Sequence, residues 1–129
     1  MSGYNMPLSH WGKMMIVNAH RCDKRLISNP RNIELFLGTL VKRINMVAYG
    51  APSIQYFGHG NKAGFTAVQL IETSNITCHF CDDSGDSYVD LFSCADYDEA
   101  VARAVINDYF KPELLDSKVI YRQAGLRME

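Results

Sequence analysis

Five side chains able to do chemistry fall within seven positions of the stretch IETSNITCHF, residues 71–80: Thr73, Ser74, Thr77, Cys78 and His79. Ser74 lies between two strand-like runs, FTAVQLI (65–71) and NITCHFC (75–81), where a turn frees its hydroxyl from ladder duties. A hydroxyl to attack, an imidazole to take its proton and a thiol nearby are the parts of nucleophilic catalysis. Any pair of strands can carry as much by chance, so the set is weak alone. The spacing Cys78-x-x-Cys81 can mean zinc or a redox dithiol. On a strand, however, residues three apart face opposite sides, and the sequence has no second CxxC. Buried strand cysteines are the better reading. The glycine-rich GHGNKAG (58–64) lies between strands and lacks the phosphate-loop pattern; its His59 and Lys62 suit the wall of a pocket. Asp82, Asp83 and Asp86 form an acidic turn without the glutamate of a calcium loop.

The elements that must position these residues follow from period and punctuation. KMMIVNAH (13–20) reads as a strand and CDKRLISNP as a loop. Asn29 caps a helix that has Pro30 at its first position. Ile33, Leu37, Leu40, Val41 and Ile44 share one face of it, and Gly50 ends the region. SIQYFG (53–58) is a strand, and YVDLFSC (88–94) alternates with period two. Asp96 with Glu99 makes a capping box for a second helix, with Ala100, Val101, Ala104, Val105 and Tyr109 on one face. KVIYRQA (118–124) is a last strand. The order β-α-β-β-β-β-α-β predicts an α+β, two-layer sandwich: an antiparallel sheet with two helices on one face.

The chain has 129 residues, so a single domain over 1–129 is expected, with 1–11 as a flexible tail. Thirteen basic and fourteen acidic residues give a formal charge of −1, which argues against a nucleic-acid partner. No apolar run is long enough to span a bilayer, and MSGYNMPLSHWGK has no apolar core of an export signal. The expectation is a cytoplasmic protein whose cysteines, Cys22, Cys78, Cys81 and Cys94, are free thiols.

Several segments in one register carry a resemblance. GKMMIVNAHRCD (12–23), GFTAVQLIETSNITCH (64–79) and DLFSC (90–94) match, without gaps, segments of a known family. In that family they read G-[KR]-H with an apolar strand and C-D, then G-V-[ST]-G with E-S-H-[LI]-[ST]-I-H, then D-[LVI]-F-[ST]-C. The chain resembles the short prokaryotic class of S-adenosylmethionine decarboxylase proenzymes over residues 12–124. The resemblance implies self-cleavage between Thr73 and Ser74, into 1–73 and 74–129. Ser74 becomes a pyruvoyl group, which binds the substrate amine as a Schiff base and accepts electrons as CO2 leaves. His79 matches the proton acceptor of processing and Thr66 the hydroxyl that assists it. Cys94 matches the proton donor of decarboxylation. A homodimer with its site at the two-fold interface is implied, S-adenosylmethionine as substrate, spermidine synthesis as destination, and no metal.

The sequence departs from the family pattern where substrate is held. Thr73 and Asn75 stand for the family's glutamate and histidine beside the serine, and FCDD replaces T-W-P-E, putting Asp83 at the glutamate's position. Met14 replaces the early histidine, and Gly60, with His59 beside it, replaces an aromatic. Met14, His59 and Asp83 are thus the candidate substrate-binding residues. Two alternatives stay open: a pyruvoyl enzyme for another amine, such as arginine or ornithine, and an uncleaved, non-enzymatic binding protein.

Overall fold

The computed structural model describes residues 10–127. Six strands form one sheet: β1 (Gly12–His20), β2 (Ser53–Phe57), β3 (Gly64–Ile71), β4 (Ser74–Phe80), β5 (Ser87–Ser93) and β6 (Leu114–Arg122). Their spatial order is β2-β3-β4-β5-β1-β6, and every neighbouring pair is antiparallel. Three helices, α1 (Lys24–Ile27), α2 (Pro30–Arg43) and α3 (Glu99–Phe110), complete the second layer. The expected α+β sandwich is the observed one, with one helix more than the expected two.

Strand alternation decides which face the helices cover. Met15, Val17 and Ala19 of β1, Ala67 and Ile71 of β3, Ile76, Cys78 and Phe80 of β4, and Val89 and Leu91 of β5 are buried. They meet Ile33, Phe36, Leu37, Leu40 and Val41 of α2 and Ala102, Val105, Ile106 and Phe110 of α3. The opposite, open face carries Met14, Ile16, Thr66, Val68, Leu70, Asn75, Thr77, His79, Tyr88, Asp90 and Phe92. No described element covers it.

The α2 start is as expected: the Asn29 side chain accepts from the Arg31 and Asn32 amides at 3.0 and 3.3 Å. Other boundaries differ, each for a local reason. The segment read as a loop contains α1, because Asp23 caps it by accepting from the Arg25 amide. Asp96 does not cap α3. Its carboxylate is held by Lys13 Nζ, so the helix starts later and Asp98 accepts from the Ala100 amide instead. Of the expected face Val105 is buried, Val101 and Tyr109 are partly buried and Ala100 and Ala104 are exposed; the core takes Ala102, Val105, Ile106 and Phe110 instead. β6 begins at Leu114, ahead of the expected Lys118, because β1 pairs with it along its whole length. Of the expected tail, residues 1–9 lie outside the described residues. His10 and Trp11 are not loose: Trp11 N donates to the Arg122 carbonyl at 2.8 Å, and the His10 ring lies 5.5 Å from the Tyr121 ring, tilted at 53°.

Ser74 is not outside the ladder either. It is the first residue of β4, in register with Ile71 on β3 and Ser93 on β5. The β3–β4 connection is therefore only Glu72 and Thr73. Two-residue hairpins favour positive φ at their central residues, which suits Gly, Asn or Asp. Glu72 and Thr73 keep negative φ, and the positive angle falls on Ser74, at 153°.

Candidate functional site

The tight turn displays the Thr73–Ser74 peptide at the end of the sheet. A φ of 153° is a conformation that residues with a Cβ rarely adopt. Backbone strain of this kind costs on the order of 1–3 kcal/mol and collects at functional positions. The peptide is also gripped. The Thr73 carbonyl accepts from the Cys94 amide at 2.9 Å. Buried Ser93 donates its hydroxyl to Thr73 Oγ1 at 2.9 Å, and Thr73 Oγ1 donates to Met46 Sδ at 3.1 Å. Ser93 Oγ also accepts from the Ala95 amide at 3.0 Å, which closes the turn after β5. Thr73, Ser74 and Cys94 thus come together as one cluster. Ser93 and Met46, which sequence reasoning missed, complete it. Ser93 was concealed as one more residue of an alternating strand, and Met46 carries no signal in the sequence.

A second cluster lies further along β4. Thr66 and His79 are register partners, and Thr66 Oγ1 is 3.3 Å from His79 Nδ1. They line a cavity of about 510 Å³ with Phe57, Lys62, Cys81, Asp86 and Tyr88. At the start of β3, Gly64 lets the chain approach the β4 backbone closely: a Cβ there would meet the Phe80 carbonyl oxygen at 1.8 Å. The Asp86 carboxylate accepts from the Arg21 amide at 3.0 Å and from His20 Nδ1 at 2.8 Å. The Arg21 bond, helped by His20, holds this carboxyl below the usual range against the opposing effect of partial burial.

Thr66 and His79 do not converge on Ser74 of the same chain. Five residues along a strand span about 16 Å at roughly 3.3 Å each.

A second hollow of about 520 Å³ lies between Trp11, Phe92, Arg122, Gln123, Ala124 and Leu126. Phe92 is the register partner of Asn75 and of Met14, so this hollow neighbours the strand end that carries Ser74. The Arg122 guanidinium sits 4.5 Å from the Phe92 ring centre.

The expected substrate-binding residues scatter. Met14 is on the open face beside Phe92. His59 is exposed and precedes a short 3-10 turn at Gly60–Lys62. Asp83 is exposed, its carbonyl accepting from Lys24 Nζ at 2.7 Å, and it does not line either hollow. The carboxylate in the cavity is that of Asp86. Phe57 and Tyr88 supply aromatic walls that the glycine-rich spacing did not reveal.

The remaining cysteines are free thiols whose ionisation burial opposes. Burial pushes the Cys78 thiol far above its ordinary value, and burial likewise raises Cys81 and Cys22. Among the described residues no three His, Cys, Asp or Glu side chains gather as a metal site, and no helix is long and apolar enough to cross a membrane.

Comparison with known proteins gives one consistent result. The family model described as S-adenosylmethionine decarboxylase matches residues 13–123. A protein named S-adenosylmethionine decarboxylase proenzyme from Methanococcus aeolicus is 27% identical over 111 residues, covering 84% of this chain and 91% of its own. The crystal structure of the adenosylmethionine decarboxylase from Aquifex aeolicus VF5 superposes with a TM-score of 0.77 at 23% identity, covering 92% of this chain and 96% of that one. That last likeness speaks for the fold, and the match of the family model across most of the sequence goes further: the chain belongs to the S-adenosylmethionine decarboxylase family.

Proposed function

We propose that this chain is a cytoplasmic, self-cleaving proenzyme that decarboxylates S-adenosylmethionine for spermidine synthesis, using a pyruvoyl group made from Ser74. The observation that carries the reading is the Thr73–Ser74 peptide itself. It combines a strained Ser74 with a Thr73 carbonyl that already accepts a hydrogen bond from the Cys94 amide.

Each processing step has a residue suited to it. The Ser74 hydroxyl attacks the Thr73 carbonyl carbon, and the developing oxyanion keeps the Cys94 N–H as donor. The amide C–N bond breaks, an ester C–O bond forms, and the amine takes the proton that the hydroxyl loses. Moving from amide to ester releases the strain at residue 74. A base then removes the Ser74 α-proton, and the Thr73 carboxylate leaves by β-elimination. The resulting dehydroalanine takes up water and loses ammonia, which leaves the keto group. His79, set by Thr66, is the base. The pyruvoyl group supplies an electron-accepting carbonyl beside the substrate's α-carbon. The Cys94 thiol, next to the grip on residue 73, returns the proton to that carbon.

His79 cannot serve the Ser74 of its own chain, about 16 Å away along β4 by the strand rise. A homodimer resolves this. The open face exposes Phe57, Val68, Leu70, Tyr88 and Leu114, a surface expected to be covered. Two-fold packing of that face brings each chain's Thr66–His79 pair to the partner's cleavage site. The substrate then lies between the hollow at Trp11 and Phe92 of one chain and the cavity at Phe57 and Tyr88 of the other.

The deciding experiment is intact mass under denaturing conditions. Wild type should give two fragments, 1–73 and 74–129, the second blocked at its N-terminus, while Ser74→Ala stays a single chain of 14.6 kDa. An uncut wild type after long incubation would overturn the reading in favour of a non-enzymatic binding protein. A second substrate reading rests on Asp83 facing solvent, which leaves the family's glutamate position empty-handed. Release of labelled CO2 from S-adenosylmethionine, set against arginine and ornithine, decides the substrate; the first should dominate.

A further inference from the structure

We infer that Lys13 is a positioning residue for the cleavage site: its buried ammonium fixes the turn after β5, whose Cys94 amide holds the scissile carbonyl. The inference rests on the self-cleavage reading and adds a part to it. Lys13 is completely buried on the helix-covered face of β1. A cation is kept there only with partners, and every partner lies in one short segment. Nζ donates to Asp96 Oδ1 at 2.5 Å and to the Tyr97 carbonyl at 2.6 Å, lies 3.5 Å from Glu99 Oε2, and sits 4.3 Å from the centre of the Tyr97 ring. Two of the ammonium's three hydrogens are donated to the Asp96 and Tyr97 oxygens, and the Glu99 carboxylate adds an ion-pair contact. Lys13 is thus a clamp on that segment rather than a nucleophile.

What the clamp holds is the start of the catalytic turn. Lys13 is the register partner of Ser93, which is the register partner of Ser74. From Ser93 the chain passes through Cys94 and Ala95 to Asp96 and Tyr97, where Lys13 seizes it. Tyr97 is fully buried and donates its hydroxyl to the Leu91 carbonyl at 2.9 Å, which folds the segment back under β5. Between these anchors the Ala95 amide is committed to Ser93 Oγ, and the Cys94 amide is left aimed at the Thr73 carbonyl. An apolar residue at position 13 would fill the same space without specifying where residues 94–97 go. Loss of the ammonium frees the turn, and the oxyanion loses a preorganised donor.

The test compares self-cleavage of wild type, Lys13→Met, Lys13→Arg and Asp96→Asn, below the melting temperature of each. Intact mass follows cleavage, circular dichroism verifies the fold, and hydroxylamine, which cuts an ester directly, reports which step is slow. Removing one oxyanion donor costs about 10²–10³-fold in other enzymes, so Lys13→Met should slow cleavage by roughly ten-fold or more. No hydroxylamine-sensitive ester should build up, because the first acyl shift is the step affected. Lys13→Arg keeps the charge and the donors and should recover most of the rate. If Lys13→Met does not fold, Asp96→Asn decides, with several-fold slower cleavage expected. A folded Lys13→Met cleaving at the wild-type rate overturns the inference. So does a Lys13→Arg as slow as Lys13→Met, or, where Asp96→Asn decides, its cleavage at the wild-type rate. In these cases the cleavage reading stands. A wild type that never cleaves overturns both, and is told apart by its own control arm.

Discussion

Ser74 holds its φ of 153° because both of its neighbours in the sheet, Ile71 and Ser93, fix its backbone from either side. That makes the strain measurable apart from catalysis. Neither Ser74→Ala nor Ser74→Gly should cleave, so in the folded state the two differ in how a Cβ tolerates this angle. Glycine gains the strain back, on the order of 1–3 kcal/mol, and loses about 0.5–1 kcal/mol to the flexibility of its unfolded chain. The net expectation is a Ser74→Gly protein more stable than Ser74→Ala by about 1 kcal/mol, read from urea midpoints. A Ser74→Gly protein less stable than Ser74→Ala by about 0.5–1 kcal/mol would mean that residue 74 stores nothing. Cys94 separates at the same scale into two roles. On the proposed function its amide would serve cleavage and its thiol decarboxylation, so Cys94→Ala should still give two fragments while releasing CO2 at a small fraction of the wild-type rate.

At the scale of elements, the cavity around His79 depends on a clasp between the end of β1 and the start of β5. Asp86 accepts from the Arg21 amide and from His20, and its carboxyl is held below the usual range by those bonds. A carboxyl depressed in the folded state stabilises above its unfolded pKa, about 3.9, and that stability is lost as pH falls through the folded value. The urea midpoint of wild type should therefore drop more steeply than that of Asp86→Asn as pH is lowered from about 5 to 3. Parallel curves would exclude the clasp as a source of stability. The same elements show what a sequence can display. Strand alternation in KMMIVNAH and YVDLFSC and the Asn29–Pro30 start of α2 were legible, because local periodicity and local capping made them. The start of α3 was not, because Asp96 is diverted by Lys13, 83 positions earlier in the chain. Asp83 was read into the site from its place in a motif. The turn at 81–86 instead presents Asp86, two bonds from a distant strand deciding what spacing along the chain could not.

At the scale of the whole molecule, one chain contains every proposed processing residue and still does not assemble a site. Its nucleophile lies at the end of β4 and its base lies near the other end of the same strand. Strands are stiff, so no rotamer of His79 closes a gap of about 16 Å. Either cleavage does not use His79, or the histidine comes from a second chain packed on the open face. Mixing variants tells these apart. Ser74→Ala has no nucleophile but a sound His79, and His79→Ala has a nucleophile but no base. Each alone should remain uncut. Unfolded together and refolded, they form mixed dimers in which the intact Ser74 of one chain faces the intact His79 of the other. Random pairing makes about half of the dimers mixed, each with one competent site, so about a quarter of all chains should appear as fragments. The fragments should come only from His79→Ala chains, which a mass tag on one variant would reveal. A mixture that stays uncut, with each variant alone also uncut, overturns the arrangement in which one chain's His79 serves the other chain's Ser74. Cleavage by His79→Ala alone would remove His79 from the reaction.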